Sequence, residues 1–308
     1  MDGIVIGQIN FDISVDGFLT SMLEHKESHI PPVRMNTGGD AQNASTAMAY
    51  LGMDVCLIGR VGKDPAGDFC LKATSATGVD CSHVSRIENG HTGTHVALIR
   101  QGGGAGNYLF NAGENARLSV EDIDFSLFAD AKFVSLHSLF ALPGLSVQTV
   151  LERAHAHGAF TFADTTNVHA SDSIDSISHL LPLLDVFAPS QSEISLLLRM
   201  SEPAEMIQKM LSLGVKNAVI KLGGDGCMIG DAQGVEHVPG YPSKEVDTLG
   251  AGDNFSAAFL YAKAKGYPLR RCAQLANAAG AITVASLGAN GAVRSIGQLE
   301  EFIRKAQG

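Results

Sequence analysis

The stretch Val246-Asp247-Thr248-Leu249-Gly250-Ala251-Gly252-Asp253-Asn254-Phe255 sets two close glycines directly before a carboxylate, and apolar side chains follow at Phe255, Ala258, Phe259 and Ala262. That spacing is one buried helical face, stopped by Gly266 and Pro268, so a helix is expected to start at about Gly250. The first turn of a helix has unpaired N–H groups and the positive end of the macrodipole, which together stabilise a phosphate. Glycines let the backbone come close to it. An acid in that turn repels a phosphate, and this gives Asp253 a use as general base. It takes the proton of an incoming hydroxyl while the N–H groups hold the charge developing on a γ-phosphoryl group. The plain alternative is that Asp247 or Asp253 caps the helix and Gly250 and Gly252 only turn the chain, and a short glycine pattern does not separate the two.

Such a turn needs a scaffold, and the 308 residues, 45% hydrophobic and 18% charged, suffice for an ample α/β core. A net charge of −10 without a block of Lys or Arg argues against nucleic acid as a partner. Met1-Asp2-Gly3 leads straight into the strand-like Ile4-Val5-Ile6-Gly7 with no basic leader. No apolar run reaches the ~18 residues of a membrane helix. No membrane partner is expected, and the expected location is cytoplasmic. Five cysteines (Cys56, Cys70, Cys81, Cys227, Cys272) without a C-x-x-C pair are expected to be free, mostly buried thiols.

Apolar runs alternate with helical patterns along the chain. A helical face from Ala41 ends at Gly52 and leads into Val55-Cys56-Leu57-Ile58, and a helix over about Ala66 to Thr77 stops at Gly78. Then come strand 133–136, a helix near Val147 to His157, strand 160–162, a further helix, strand 186–188, strand 218–221, the turn Leu222 to Gly226 and the short strand 227–229. This rhythm implies a mostly parallel sheet with helices on both faces, which binds ligands at the C-terminal ends of its strands. Segments 11–37 and 92–112 break the rhythm. They are expected to form a small accessory β-sheet, a lid, with Gly102 to Gly106 as a flexible hairpin tip.

Two familiar nucleotide motifs are absent. Gly102 and Gly104 are followed by Asn107, and Gly250 and Gly252 by Phe255, so there is no G-x-G-x-x-G; Gly62-Lys63 lacks the upstream glycine of a P-loop.

Asp247 to Asp253 matches D-T-x-G-A-G-D, and some 200 residues earlier stand Gly38-Gly39-Asp40-Ala41-Gln42-Asn43-Ala44 and Gly59-Arg60-Val61-Gly62-Lys63-Asp64-Pro65-Ala66-Gly67. In this order the segments resemble the signatures of the ribokinase-like (PfkB) carbohydrate kinases over essentially the whole chain. The resemblance implies one ribokinase-like domain over 1–308, with ATP and Mg²⁺ as cofactors. It implies Asp253 as catalytic base and the N–H groups of Gly250, Ala251 and Gly252 as anion hole. Asn10, Asp12, Gly38, Gly39, Asp40 and Asn43 fall where the family grips its acceptor. Glu193 matches the acid of N-x-x-E that organises Mg²⁺ through water, while Ser190 stands where the family has Asn. Lys221, Gly223, Gly226, Asn277 and Gly280 fall beside the nucleotide. Asp247, Leu249, Thr283, Ser286 and Gly288 match a monovalent cation site, potassium in many relatives, although Ala292 replaces a serine oxygen.

Relatives acting on sugar phosphates commonly carry Lys where this chain has Asp40, and a carboxylate there repels a phosphorylated acceptor. The expected acceptor is therefore a neutral sugar, with a nucleoside as the near alternative. Arg34 and Arg100 in the lid would serve a sugar phosphate, and Phe11, Phe18 and Tyr108 could clamp a base. A non-catalytic sugar-binding regulator is a third reading. His137 and Asp164 at strand ends are further pocket candidates, His137 equally well a hydrogen-bonded core residue. His25 with His29, and His155 with His157, carry little metal signal, the latter pair reading as surface residues. Phe125, Phe128 and Phe133 read as core. A homodimer joined through the lids is expected, because so small a sheet cannot cover both of its faces.

Overall fold

A computed structural model of the chain describes residues 1–100 and 107–307. The chain opens with β1 (Gly3–Ile6), β2 (Asn10–Phe18), β3 (Val33–Gly38) and α1 (Asp40–Tyr50). Next come β4 (Val55–Ile58), β5 (Arg60–Gly62), α2 (Pro65–Ser75), β6 (Ser85–Ile87), β7 (Gly93–Arg100) and β8 (Asn107–Asn111). The middle holds β9 (Phe133–Leu136), α3 (Val147–Ala156), β10 (Phe160–Ala163), β11 (Val186–Phe187), α4 (Gln191–Leu198) and α5 (Pro203–Ser212). The last third adds β12 (Asn217–Lys221), β13 (Cys227–Asp231), β14 (Gly234–Val238), α6 (Ala251–Ala264), α7 (Leu269–Val284) and α8 (Ile296–Gln307).

The main sheet has the order β14-β13-β12-β11-β10-β9-β1-β4 and is parallel from β12 to β4. Its central strands are apolar without alternation because both faces are covered. In β1, Ile4 and Ile6 join a core with Val150, Ile194 and Met206, whereas Val5 faces a second core with Met48, Ala258 and Phe259. Alternate side chains of one strand thus anchor two helical layers. Gly3 pairs with Phe133, whose ring would lie 2.0 Å from an added Cβ, so only glycine leaves room for that ring.

The second sheet has the order β3-β2-β7-β8 and is the expected lid. β7 and β8 pair antiparallel as the expected hairpin, and the tip Gly102 to Gly106 lies outside the described residues. The root of the lid is held by Asn115. Its Oδ1 accepts from Ile9 N (2.9 Å), while its Nδ2 donates to Ile9 O (3.0 Å) and Asn10 Oδ1 (2.8 Å).

Three expectations change. No α-helix joins β10 to β11; the segment holds 3₁₀ turns at Ile174–Ser176 and Leu181–Leu183. Its Ser and Asp side chains compete for the backbone, as where Asp172 Oδ2 accepts from His169 N (2.7 Å) and Ser173 Oγ from Asp175 N (3.3 Å), and Pro182 fixes the second turn. β14, too short and polar to stand out in sequence, adds to the sheet edge through an antiparallel hairpin with β13. His155 is not a free surface residue: its Nε2 lies 3.3 Å from Thr161 Oγ1 and 3.6 Å from the Asp185 carboxylate. Phe128 and Phe133 are fully buried, and Phe125 packs on Phe128 at 5.3 Å. Among the described residues all five cysteines are free, and no helix is long and apolar enough to cross a membrane.

Asn115→Leu leaves the buried Ile9 N–H and C=O without their side-chain partner, which costs about 2–4 kcal/mol. Urea unfolding should show this loss, while the exposed Asn111→Ala should stay within about 0.5 kcal/mol of wild type.

Candidate active site

The C-terminal ends of the parallel strands deliver the polar residues. Gln8, Asn10 and Asp12 follow β1; His137 and Ser138 follow β9; Asp164 and Thr165 follow β10; Ser190 and Glu193 follow β11; Lys221 ends β12. Across from them stands the N-terminus of α6. Gly250 caps it in the left-handed region (φ 75°), and an added Cβ would meet Ala289 Cβ at 2.5 Å. Asn254 Nδ2 ties the turn by donating to Gly250 O and Ala289 O, both at 2.9 Å. The Ala251 N–H reaches back to Thr248 O at 3.3 Å, a long bond that an arriving anion can displace.

Two cavities meet at this turn. One of about 410 Å³ is lined by Gly223, Gly226, Tyr241, Asn277 and Gly280; the other, of about 710 Å³, by Gln8, Asn10, Asp12, Gly39, Asp40 and Asn43. Lys221, Gly223 and Gly252 line both. Asp253 faces the larger one, where its Oδ2 accepts from Asn43 Nδ2 at 2.8 Å. Asn43 Oδ1 in turn accepts from Asn290 Nδ2 (2.7 Å), which also donates to Thr37 Oγ1 of the lid at 3.3 Å. Asn290 went unnoticed in sequence because only the fold carries it from the far C-terminus to α1.

Asp40 accepts from Ser138 Oγ at 2.7 Å, with Ser138 held in the left-handed region (φ 65°). Burial, partly offset by Ser138, pushes the Asp40 carboxyl up to about 6. Burial and then the facing Asp40 hold the Asp253 carboxyl well above the ordinary carboxylate range. Asp12 is 5% exposed, its Oδ1 has no partner, and His95 Nδ1 lies 3.8 Å from its Oδ2. Gly38 is needed beside it, since an added Cβ would lie 2.2 Å from that carboxylate. Gln8 Nε2, Thr165 Oγ1 and both ring nitrogens of His137 are likewise buried without partners. His137 is therefore not the hydrogen-bonded core residue that one reading expected, and burial pushes its pKa down to about 4. It does not line the cavity, but Asp164 does.

Lys221 Nζ donates to both oxygens of Asp164 (2.7 and 2.6 Å), and Ser256 Oγ donates to Asp164 Oδ2 at 2.8 Å. Nζ would lie 3.4 Å from a Cβ at Gly252, so the ammonium sits beside the anion-binding turn. Burial lowers the Lys221 pKa, but Asp164 and Glu193 outweigh it and the net shift is upward. Ser190, in the place of the expected Asn, caps α4: its N–H and Oγ both donate to Glu193 Oε2 (2.9 and 2.5 Å). Burial still raises the Glu193 carboxyl.

Asn277 lines the smaller cavity. Its Nδ2 donates to Val238 O (3.0 Å) and Pro239 O (3.1 Å), anchoring the cavity wall. Gly226 (φ 92°) packs there, with Val238 O 2.3 Å from an added Cβ. Asp247 Oδ1 and Oδ2 accept from Leu249 N (3.0 Å) and Gly288 N (2.9 Å), which joins three of the five residues of the expected cation site. Thr283 O, in the last turn of α7, accepts from Ser286 N at 3.0 Å. Of the expected aromatic clamp only Tyr108 lines the larger cavity, stacked on His95 at 5.3 Å, with Phe110 beside it. Phe18 is buried and Phe11 packs edge-on against Phe69. Arg34 and Arg100 do not line the cavity.

Similarity to known proteins agrees with this geometry. A ribokinase of Staphylococcus aureus is 27% identical over 86% of this chain and 86% of its own. A 5-dehydro-2-deoxygluconokinase of Geobacillus thermodenitrificans is 26% identical over 99% of this chain and 93% of its own. An E. coli protein described as a ribokinase II, solved with ATP and Mg²⁺, superposes with a TM-score of 0.85 over 99% of both chains at 26% identity. Residues 3–295 match the family described as pfkB family carbohydrate kinase. With residues 3–295 matched by the family and the glycine-rich start of α6 at the meeting of two cavities, this chain belongs to the pfkB carbohydrate kinases and is a phosphotransferase of the ribokinase-like fold.

Proposed function

We propose that the chain transfers the γ-phosphoryl group of ATP to a hydroxyl of a small, unphosphorylated sugar. One observation carries the reading: Asp253 stands in the first turn of α6, facing a polar cavity, and that turn also borders a second cavity of nucleotide size. The Asp253 carboxylate takes the proton of the acceptor hydroxyl as the hydroxyl oxygen forms its bond to phosphorus and the bond to the ADP oxygen breaks. The N–H groups of Gly250, Ala251 and Gly252 and the α6 dipole hold the growing negative charge. Lys221 supplies a fixed positive charge next to them. Glu193 is the residue that would hold Mg²⁺ through water, a counter-charge there offsetting the burial that raises its carboxyl; the ion would neutralise phosphate charge. Asp247, with the carbonyls of Leu249, Thr283, Ser286 and Gly288, would hold a potassium ion behind the turn.

Neutrality of the acceptor follows from the cavity wall. Among the described residues Asp12, Asp40, Asp164, Glu193 and Asp253 line it, against Lys221 as the one Lys or Arg, and Lys221 is bound to Asp164. A second phosphate or a carboxylate on the acceptor meets net repulsion in a poorly solvated space. Asp12, Gln8 and Thr165 carry the unpartnered buried polar atoms that a polyol would satisfy. The His95–Tyr108 stack is the observation that keeps a nucleoside as the second reading. Release of ADP with Mg-ATP, measured across pentoses, hexoses, sugar acids, sugar monophosphates and nucleosides, tests the proposal. A neutral sugar should give the highest kcat/KM, and Asp253→Asn should lower its kcat by at least ~10²-fold while leaving ATP binding nearly intact. A preference for a sugar phosphate would overturn the reading of Asp40.

The base acts only when deprotonated, so a raised pKa places the acid limb of the rate profile above the ordinary carboxylate range. Asp40→Asn removes the neighbouring negative charge and should move that limb to lower pH. A limb that stays in place would separate Asp40 from Asp253.

The lid also supports a homodimer. Its two edge strands expose Met35 (60%) on β3 and Tyr108, Leu109 and Phe110 (56%, 59% and 45%) on β8, an apolar surface that a second lid would cover. Light scattering at micromolar concentration should give twice the 32.3 kDa chain mass. A strict monomer would remove this arrangement.

A further inference from the structure

β4 is the outer edge of the main sheet, and a short segment lies along it far in sequence from the α6 turn. Asp80 N donates to Val55 O (3.0 Å) and Leu57 N donates to Asp80 O (2.9 Å), which makes Asp80 a one-residue parallel partner of Cys56. Residues paired in this way point their side chains to the same face of the sheet. The chain then turns: Asp80 Oδ1 accepts from Ser82 N at 2.9 Å and Cys81 O accepts from Val84 N at 3.2 Å, which brings His83 back towards the pair. One ligand atom each from Cys56, Asp80 and His83 lies within 4.8 Å of the others.

We propose that Cys56, Asp80 and His83 form a peripheral metal site, for zinc or a similar borderline divalent cation, that clips the 79–83 segment to the edge of the main sheet. The donor set is one sulfur, one imidazole nitrogen and one carboxylate oxygen, which suits zinc and not the hard, oxygen-loving magnesium of the phosphate site. Donors around a tetrahedral zinc stand about 3.5 Å apart, so the three side chains need move inward by only about 1 Å. Backbone hydrogen bonds already fix two of the three positions. The surroundings favour a cation as well. Asp80, Cys81 and Asp54 act electrostatically on Cys56, and Asp124 acts on His83. Without a metal, burial and then Asp80 push the Cys56 thiol up to about 12; a bound cation reverses this, the thiol losing its proton to solvent as the metal–sulfur bond forms. Access is open, since Cys56 is buried but Asp80 is exposed and His83 half-exposed. The fourth position falls to water.

Such a clip would act on stability and not on turnover. The 79–83 segment feeds β6, which pairs with β5, and then the lid strand β7. A metal bound only by the folded chain stabilises it by mass action.

The test uses the full chain, stripped with chelator and kept reduced. Titration with Co²⁺ should give about one equivalent bound with a near-ultraviolet thiolate charge-transfer band, displaced by Zn²⁺. The band should vanish in Cys56→Ser. Because that buried change can disturb folding, His83→Ala and Asp80→Asn carry the argument independently: each should weaken zinc binding by at least ~10-fold and abolish the zinc-dependent rise in Tm. Their kinase turnover with Mg-ATP should match wild type. Absence of the band, a band that persists in Cys56→Ser, or zinc affinity unchanged in His83→Ala would overturn the site. So would isolation of the protein with Cys56 and Cys81 joined as a disulfide. Zinc held only by the carboxylates of the active site would give no thiolate band and counts against it too.

Discussion

Crowding of negative charge is the constraint on which the active site depends. Five carboxylates line one cavity, and the triply and quadruply charged phosphates of a nucleotide must arrive at its edge. A site of that sign works only if fixed positive potential stands where the phosphate will be. The α6 N-terminus provides it through oriented N–H groups, which need no counter-ion and cannot be titrated away. Lys221 provides the rest. Its salt bridge to Asp164 is buried, and removing either partner of such a pair costs about 3–5 kcal/mol because the other charge is left alone. The pair therefore holds the ammonium beside Gly252 and keeps one of the five acids neutralised.

Asp253 benefits from the crowding that remains. In the proposed reaction Asp253 is the general base, and burial with a facing Asp40 would strengthen it above ordinary carboxylate basicity. Asn43 keeps this base aimed by donating to one oxygen, and Asn290 keeps Asn43 aimed in turn. Since Asn290 also reaches Thr37, the orientation of the base is linked to the lid strand β3. Thr37, Asn290, Asn43 and Asp253 thereby form one hydrogen-bonded chain from β3 to α6.

On the proposed reading, the same wall limits what can be phosphorylated. The curated relatives include a ribokinase and a 5-dehydro-2-deoxygluconokinase, so family membership leaves the acceptor open. The proposed neutral sugar rests on local chemistry: a carboxylate, an amide and a hydroxyl with unfilled hydrogen-bonding capacity fit vicinal hydroxyls. Stacked His95 and Tyr108 add a flat surface at the lid side.

The amino-acid sequence alone determined the parts that are local or periodic. The start of α6 at Gly250, the parallel rhythm, the lid segments and the signature residues are readable because glycine placement and apolar spacing act within a few residues of themselves. It misled where short-range chemistry opposed the rhythm, as in the Ser- and Asp-rich 164–185 segment that turns instead of forming a helix. Only the tertiary structure decided which residues meet. Asn290 on Asn43, Lys221 on Asp164, Asn115 under the lid and Phe11 turned away from the acceptor join positions that are distant in the chain, and no periodicity encodes such pairs. The electrostatics belongs there too, because the basicity of Asp253 depends on how deeply it is buried and how near Asp40 comes, and both are properties of packing.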